Sequence, residues 1–131
     1  MINEQLATDV GPSHITIAYE QLGDPAHPTV LLVMGVAAQL VQWPDGFLEA
    51  LLRRDLHLVR FDNRDAGRSS QMQKAPPADL PAVLRGDLSS VTYTLFDMAA
   101  DAVGLLDVLK LDAVHLVGAS MGGAIAQVMA I

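Results

Sequence analysis

The chain has 131 residues, 51% of them hydrophobic and 18% charged, with a net charge of −7 and no cysteine. That is one domain's length with enough apolar material for a core, which excludes a disordered chain. Disulfides, thiolate metal sites and cysteine nucleophiles are excluded too, and the eight scattered basic residues argue against a phosphate-backbone binder, which needs clustered Lys and Arg.

Met1 to His14 has no basic start followed by an apolar run, so it does not read as a secretory signal. Two strand-like pieces follow one another, Gln5–Val10 and Ile15–Leu22, with Gly11 and Pro12 punctuating a hairpin between them. Gly23 to Pro28 is a turn. Thr29–Met34 is a continuous apolar run with β-branched members, the pattern of a strand covered on both faces. The longer apolar stretch that contains it, Thr29 to Val41, is too short to span a bilayer and includes Gln39. A soluble, cytoplasmic protein is expected, with no nucleic-acid and no membrane partner. The lack of cysteine is compatible with a reducing compartment.

A helix is expected over residues 43–54. Pro44 suits its first position, Asp45 its first turn, and Arg53 and Arg54 its last, in keeping with the helix dipole. Phe47, Leu48, Leu51 and Leu52 form its apolar stripe. Leu56–Asp62 reads as a second buried strand. Residues 69–92, with three prolines, read as a long surface loop. The strongest helix runs from Thr94 to Leu109, with Thr94 as N-cap and Asp97 at the third helical position. Leu95, Met98, Ala102, Leu105, Leu106 and Leu109 recur at helical spacing. Ala113–Gly118 reads as a third buried strand and Met121 onward as a helix.

After the hairpin, strand and helix alternate, which predicts an α/β fold with a mostly parallel sheet. Ligands of such sheets bind at the carboxyl ends of the strands. Three ends matter: Met34-Gly35, Asp62-Asn63 and Gly118 through Ser120.

Gly118-Ala119-Ser120-Met121-Gly122 follows a buried strand and opens an apolar helix, the setting of a nucleophile elbow. Ser120 is expected in a strained backbone conformation that projects its hydroxyl from the tip of the turn. Cβ atoms two positions either side would collide, so Gly118 and Gly122 are needed. The Met121 N–H, at the helix N-terminus, can point at a developing oxyanion. The alternatives are an incidental serine in a tight turn, a dinucleotide site and a phosphate loop. A dinucleotide site would want glycine at position 120 and an acidic residue downstream, and a phosphate loop would want a Lys after the glycines.

Three stretches, Leu31–Phe47, Arg60–Ser70 and Tyr93–Gln127, together resemble the α/β-hydrolase superfamily, in particular bacterial serine esterases of the aclacinomycin methylesterase type. The resemblance implies an α/β-hydrolase fold that is incomplete here, holding the first five strands, helices A and B and the start of C. It makes Ser120 the nucleophile, with the backbone N–H groups of Met121 and Val36 as oxyanion donors. Many relatives carry His-Gly at Met34-Gly35, but the donor is a backbone group. A serine nucleophile favours ester, thioester, lactone or related acyl chemistry on a small ester-like molecule over the haloalkane and epoxide chemistry of relatives that use Asp there. No cofactor and no metal are implied. Asp62 and Arg64 are expected to brace a tight turn with Gly67 at positive φ, as the family uses that motif. Gln39 and Trp43 stand where they can line a pocket mouth, although a Trp beside a helix start often simply packs.

The family orders its triad as Ser, acid, His. No Asp, Glu or His follows Ser120, and His14, His27, His57 and His115 all precede it in unsuitable places. Residues 1–131 are therefore expected to be the N-terminal portion of a single domain, ending within the nucleophile helix and inactive alone. The non-catalytic alternative is a half-domain whose open strand edge pairs with another chain or with a second copy.

Overall fold

Thr29–Val33 (β3) and His57–Phe61 (β4) are buried at every residue, because each lies inside a sheet with side chains packed on both faces. The computed structural model describes residues 3–72 and 79–131. The other strands are β1 (Gln5–Val10), β2 (Ile15–Leu22) and β5 (His115–Gly118). They form one sheet in the order β1-β2-β4-β3-β5. β3 pairs in parallel with both β4 and β5, while the β1–β2 hairpin joins β4 antiparallel. The sheet is thus mixed, with its parallel part formed by the strands that follow the hairpin.

Alternation along β3 divides the core. Leu31 and Val33 face one cluster, with Phe61, Met98, Ala102, Leu105 and Ile125. Val30 and Leu32 face the other, with Met34, Trp43, Leu48 and Leu58. The first cluster is closed by α3 (Leu95–Val108) and α4 (Met121–Ala130), the second by α1 (Asp45–Leu52). α3 begins as its sequence predicts: the Thr94 N–H donates to Asp97 Oδ2 at 2.7 Å. Pro44 stands at the N-cap of α1 and Arg53 at its C-cap, so each falls one place outside the helical body. Among the described residues no helix is long and apolar enough to cross a membrane.

Two expectations need correction. The stretch 69–92 is not all loop, since Leu80–Leu84 forms a short helix, α2. Asp79 caps it by accepting the Ala82 N–H at 3.1 Å, and Pro81 sits in its first turn. Residues 73–78 of that stretch lie outside the described residues. The strand before Ser120, read as buried, is half-exposed. Its hydropathy suits an interior position, but among the described residues it is the sheet's edge, bonded to β3 alone.

His57 opens β4 with 1% exposure, its ring Nδ1 2.8 Å from the hydroxyl of Thr29, the cross-strand neighbour. Burial holds its pKa below the ordinary 6.5, against a smaller opposing pull from Asp24. Below pH 6.5 the unfolded chain takes up a proton that the folded ring resists, so stability falls as pH drops from there to the lowered folded value, then levels. A thermal midpoint that declines over this range in the wild type, and declines less in His57→Gln, is the expected result. Equal slopes in both proteins would refute it.

Candidate functional site

The parallel register brings three strand ends to one side of the sheet. Leu32 stands beside Arg60, and Val33 beside Gly118, so the chain leaves β3, β4 and β5 at nearly the same level. The turns after these strands form a shallow floor at the carboxyl edge.

Between β5 and α4 the chain reverses within Ala119 and Ser120. Ser120 adopts φ 54° and ψ −123°, a left-handed φ that a non-glycine residue rarely takes. Serine at the start of a helix ordinarily has an extended backbone and caps it through its hydroxyl. Here the backbone is turned over, the side chain makes no capping bond, and the residue is exposed. The flanking glycines explain how so tight a turn is built. A Cβ on Gly118 would lie 2.3 Å from the Gly122 carbonyl oxygen, and one on Gly122 would lie 2.0 Å from that of Val33. Neither contact is tolerable for a backbone atom, so α4 sits against the sheet only because both positions lack side chains. Ala119 N–H donates to Val33 O at 2.9 Å, and the Gly122 and Gly123 N–H groups are taken by Ala119 and Ser120 carbonyls. Met121, the first residue of α4, carries one of the N–H groups that a helix leaves without an intrahelical acceptor.

The turn after β3 approaches this serine from the side. A Cβ on Gly35 would sit 3.2 Å from the Ser120 Cβ and 3.7 Å from its hydroxyl oxygen. Val36 follows, 71% exposed, and then Ala37 at φ 55°. Asp62 and Asn63, at the end of β4, hold both ends of this turn. Asp62 Oδ1 accepts the Leu40 N–H at 2.7 Å, and Asn63 Nδ2 donates to the Met34 carbonyl at 2.9 Å. Asp62 also accepts the Arg68 N–H through Oδ2, with Gly67 at φ 49°. Asp62 therefore braces turns, as its motif predicts, whereas Arg64 departs from that expectation and donates to the side chains of Asp101 and Ser13. Trp43 is buried and stacked on Phe47 with ring centroids 5.5 Å apart, so it packs rather than borders the opening; Gln39 is exposed before the short turn Leu40–Gln42.

Beside these turns lies a small cavity of about 180 Å³, lined by Val36, Ala37, Asn63, Arg64, Asp65, Tyr93, Met98 and Met121. One of its lining residues, Arg64, belongs to a buried ion pair. Arg64 donates through Nε and Nη2 to the two oxygens of Asp101, each at 2.7 Å, and both side chains are 2% exposed. Donating these hydrogen bonds to the Asp101 carboxylate holds the guanidinium above its usual pKa. The Tyr93 ring covers it at 4.8 Å, and burial with a bond to Asp65 pushes the Tyr93 phenol up to about 12. The pair ties the end of β4 to the middle of α3. The sequence reading missed it, although a signal exists: Asp101 is a carboxylate between Met98 and Leu105 on the apolar stripe of α3.

The histidines stand elsewhere. His57 and His115 begin their strands, at the opposite end of the sheet from Ser120. His27 lies in the turn that precedes β3, at that same far end. His14 faces Asp9 in the hairpin, three strands from β5 or about 14 Å at ordinary strand spacing. Among the described residues no group of three His, Asp or Glu side chains has a metal-binding arrangement.

Residues 28–131 match a family model described as the alpha/beta hydrolase fold. The chain is 36% identical over 117 residues to rhodomycin D methylesterase DnrP of Streptomyces peucetius, and 34% identical over 117 residues to its counterpart DauP of a Streptomyces species, strain C5. Each match takes in 89% of this chain and 35% of the relative, so the chain spans about a third of the length of these relatives. Among solved structures, a hydrolase from Pseudomonas aeruginosa superposes with a TM-score of 0.72 at 28% identity, over 94% of this chain and 38% of that one.

Proposed function

This chain belongs to the alpha/beta hydrolase fold family, and from that premise we propose that it carries the nucleophilic part of a serine hydrolase acting on carboxylic esters or related acyl bonds. One observation carries the reading: an exposed serine at a strand-to-helix turn, held at positive φ and freed from capping, between two glycines that cannot bear a Cβ. That is an expensive way to build a turn and a useful way to present a hydroxyl. The methylesterase relatives favour a small ester-like substrate over other acyl compounds.

In this mechanism Ser120 Oγ attacks the acyl carbonyl carbon while a histidine takes the hydroxyl proton. The carbonyl oxygen becomes an oxyanion and accepts hydrogen bonds from the Met121 and Val36 N–H groups. The tetrahedral species collapses to an acyl-serine, and the leaving alkoxide takes the proton from the imidazolium. Water, activated by the same histidine, then releases the acid and restores Ser120. The histidine and the acid that orients it come from a later part of the full-length protein, of which residues 1–131 are the N-terminal portion of one domain.

Hydrolysis of p-nitrophenyl acetate, compared between the full-length protein and this chain alone, tests the assignment. Turnover by the former and background-level, burst-free release by the latter are expected. Robust turnover by residues 1–131 alone would overturn the division of the site. The edge of β5, unpaired among the described residues, supports a second reading, a non-catalytic half-domain that pairs with another chain or copy. A full-length protein inert toward activated esters, with this chain dimerising in sedimentation, would favour it.

A further inference from the structure

We infer that Asn63 is a positioning residue for the oxyanion site: by holding the Met34 carbonyl it sets where the Val36 N–H points. This rests on the serine-hydrolase reading above. Within the segment from Gly35 to Gln39, the Ala38 N–H donates to the Gly35 carbonyl over a long 3.4 Å, a weak internal tie. Val36 is 71% exposed, and Ala37 takes a left-handed φ of 55°, a conformation that persists in a non-glycine residue only where the surroundings impose it. Its two ends are pinned by neighbours in sequence, Asp62 on the Leu40 N–H and Asn63 on the Met34 carbonyl.

The two pins do different work. Asp62 serves the far end and the Arg68 turn as well, so losing it disturbs much besides the site. Asn63 makes its bond at the near end. It is 3% exposed, and its amide donates at 2.9 Å to the carbonyl of the peptide that joins Met34 to Gly35. A peptide unit is planar. Fixing that carbonyl therefore fixes the plane leading into Gly35, and leaves only the Gly35 torsions between it and the Val36 N–H. Glycine is the least constrained residue for those torsions. The close approach of Gly35 to Ser120 means that a rotation here moves the donor relative to the nucleophile itself. Asn63 also lines the small cavity that Val36 and Met121 border.

Hydrolysis of p-nitrophenyl acetate and inhibition by an alkyl trifluoromethyl ketone, measured on the full-length protein, test this. The ketone adds to a serine and leaves an oxyanion in the hole. In Asn63→Leu, kcat is expected to fall about 10- to 100-fold with KM within about threefold, because a displaced donor costs somewhat less than a deleted one. The ketone's inhibition constant should rise in proportion to the loss in kcat/KM. Asn63→Asp keeps the shape but donates only when protonated, so its kcat relative to wild type should climb as pH is lowered. Should the leucine variant fail to fold, that pH series decides. A folded Asn63→Leu with unchanged kcat, or a flat ratio for Asn63→Asp, overturns the assignment while leaving Ser120 untouched. Full activity in Ser120→Ala would instead remove the reading on which it rests.

Discussion

Ser120→Ala in the full-length protein is expected to lower ester turnover by about 10⁴- to 10⁶-fold, the range seen when a serine nucleophile is deleted from a working triad. The structure makes this a clean substitution. The Ser120 hydroxyl is exposed and caps nothing, so its removal costs no buried hydrogen bond. Alanine meets the same steric demand at φ 54° that serine does. The thermal midpoint should therefore stay within a degree or two of wild type, about the size of a surface substitution's effect. Residual hydrolysis would come from the oxyanion donors alone. Stopped-assay kinetics with p-nitrophenyl acetate, paired with a circular-dichroism melt, check both halves. A variant that keeps a tenth of wild-type kcat would rule out Ser120 as the nucleophile.

The largest expected effect on stability lies one layer behind the site. Asp101→Ala leaves the Arg64 guanidinium 2% exposed with its bidentate partner gone. Breaking a buried pair in this way costs about 3–5 kcal/mol, a large part of the 5–15 kcal/mol that typically holds a domain together. The remaining contacts of Arg64, a 3.0 Å bond to Ser13 and the Tyr93 ring, are too few to satisfy the charge. Removing both ends at once, in Arg64→Leu with Asp101→Leu, should recover much of the loss, because no charge is then left buried. Urea unfolding of Asp101→Ala and of the double variant measures this. A loss below about 1 kcal/mol in Asp101→Ala would class the pair with exposed ion pairs. Activity should drop along with stability in the single variant, since Asp101 holds Arg64, which lines the cavity beside Val36 and Met121.

Much of this architecture was legible before any coordinates. Continuous apolar runs marked β3 and β4, and helical spacing with Thr94 and Asp97 marked α3. The glycines around Ser120 announced a turn too tight for side chains, as the Val33 and Gly122 contacts bear out. α2 is hard to see in the sequence because prolines outweigh a five-residue helix whose cap, Asp79, is its main local signal. The strand before Ser120 has an interior strand's hydropathy, which reports the environment a segment prefers, whereas its exposure depends on which strands stand beside it.

By itself the sequence determined what depends on neighbours along the chain: strand or helix from periodicity, helix starts from capping residues, and the elbow from glycine's missing Cβ. Steric and hydrogen-bonding rules of this kind act over a few residues, so they can be read in order. Only the tertiary structure decided which distant groups meet. It set the strand order, joined Arg64 to Asp101 across 37 positions, and brought the Asn63 amide to the Met34 carbonyl across 29. The physical reason is that a buried charge or amide must find a partner but does not name it. The partner follows from the packing of α3 on the sheet and from the parallel register of β3 and β4, which bring these groups within bonding distance.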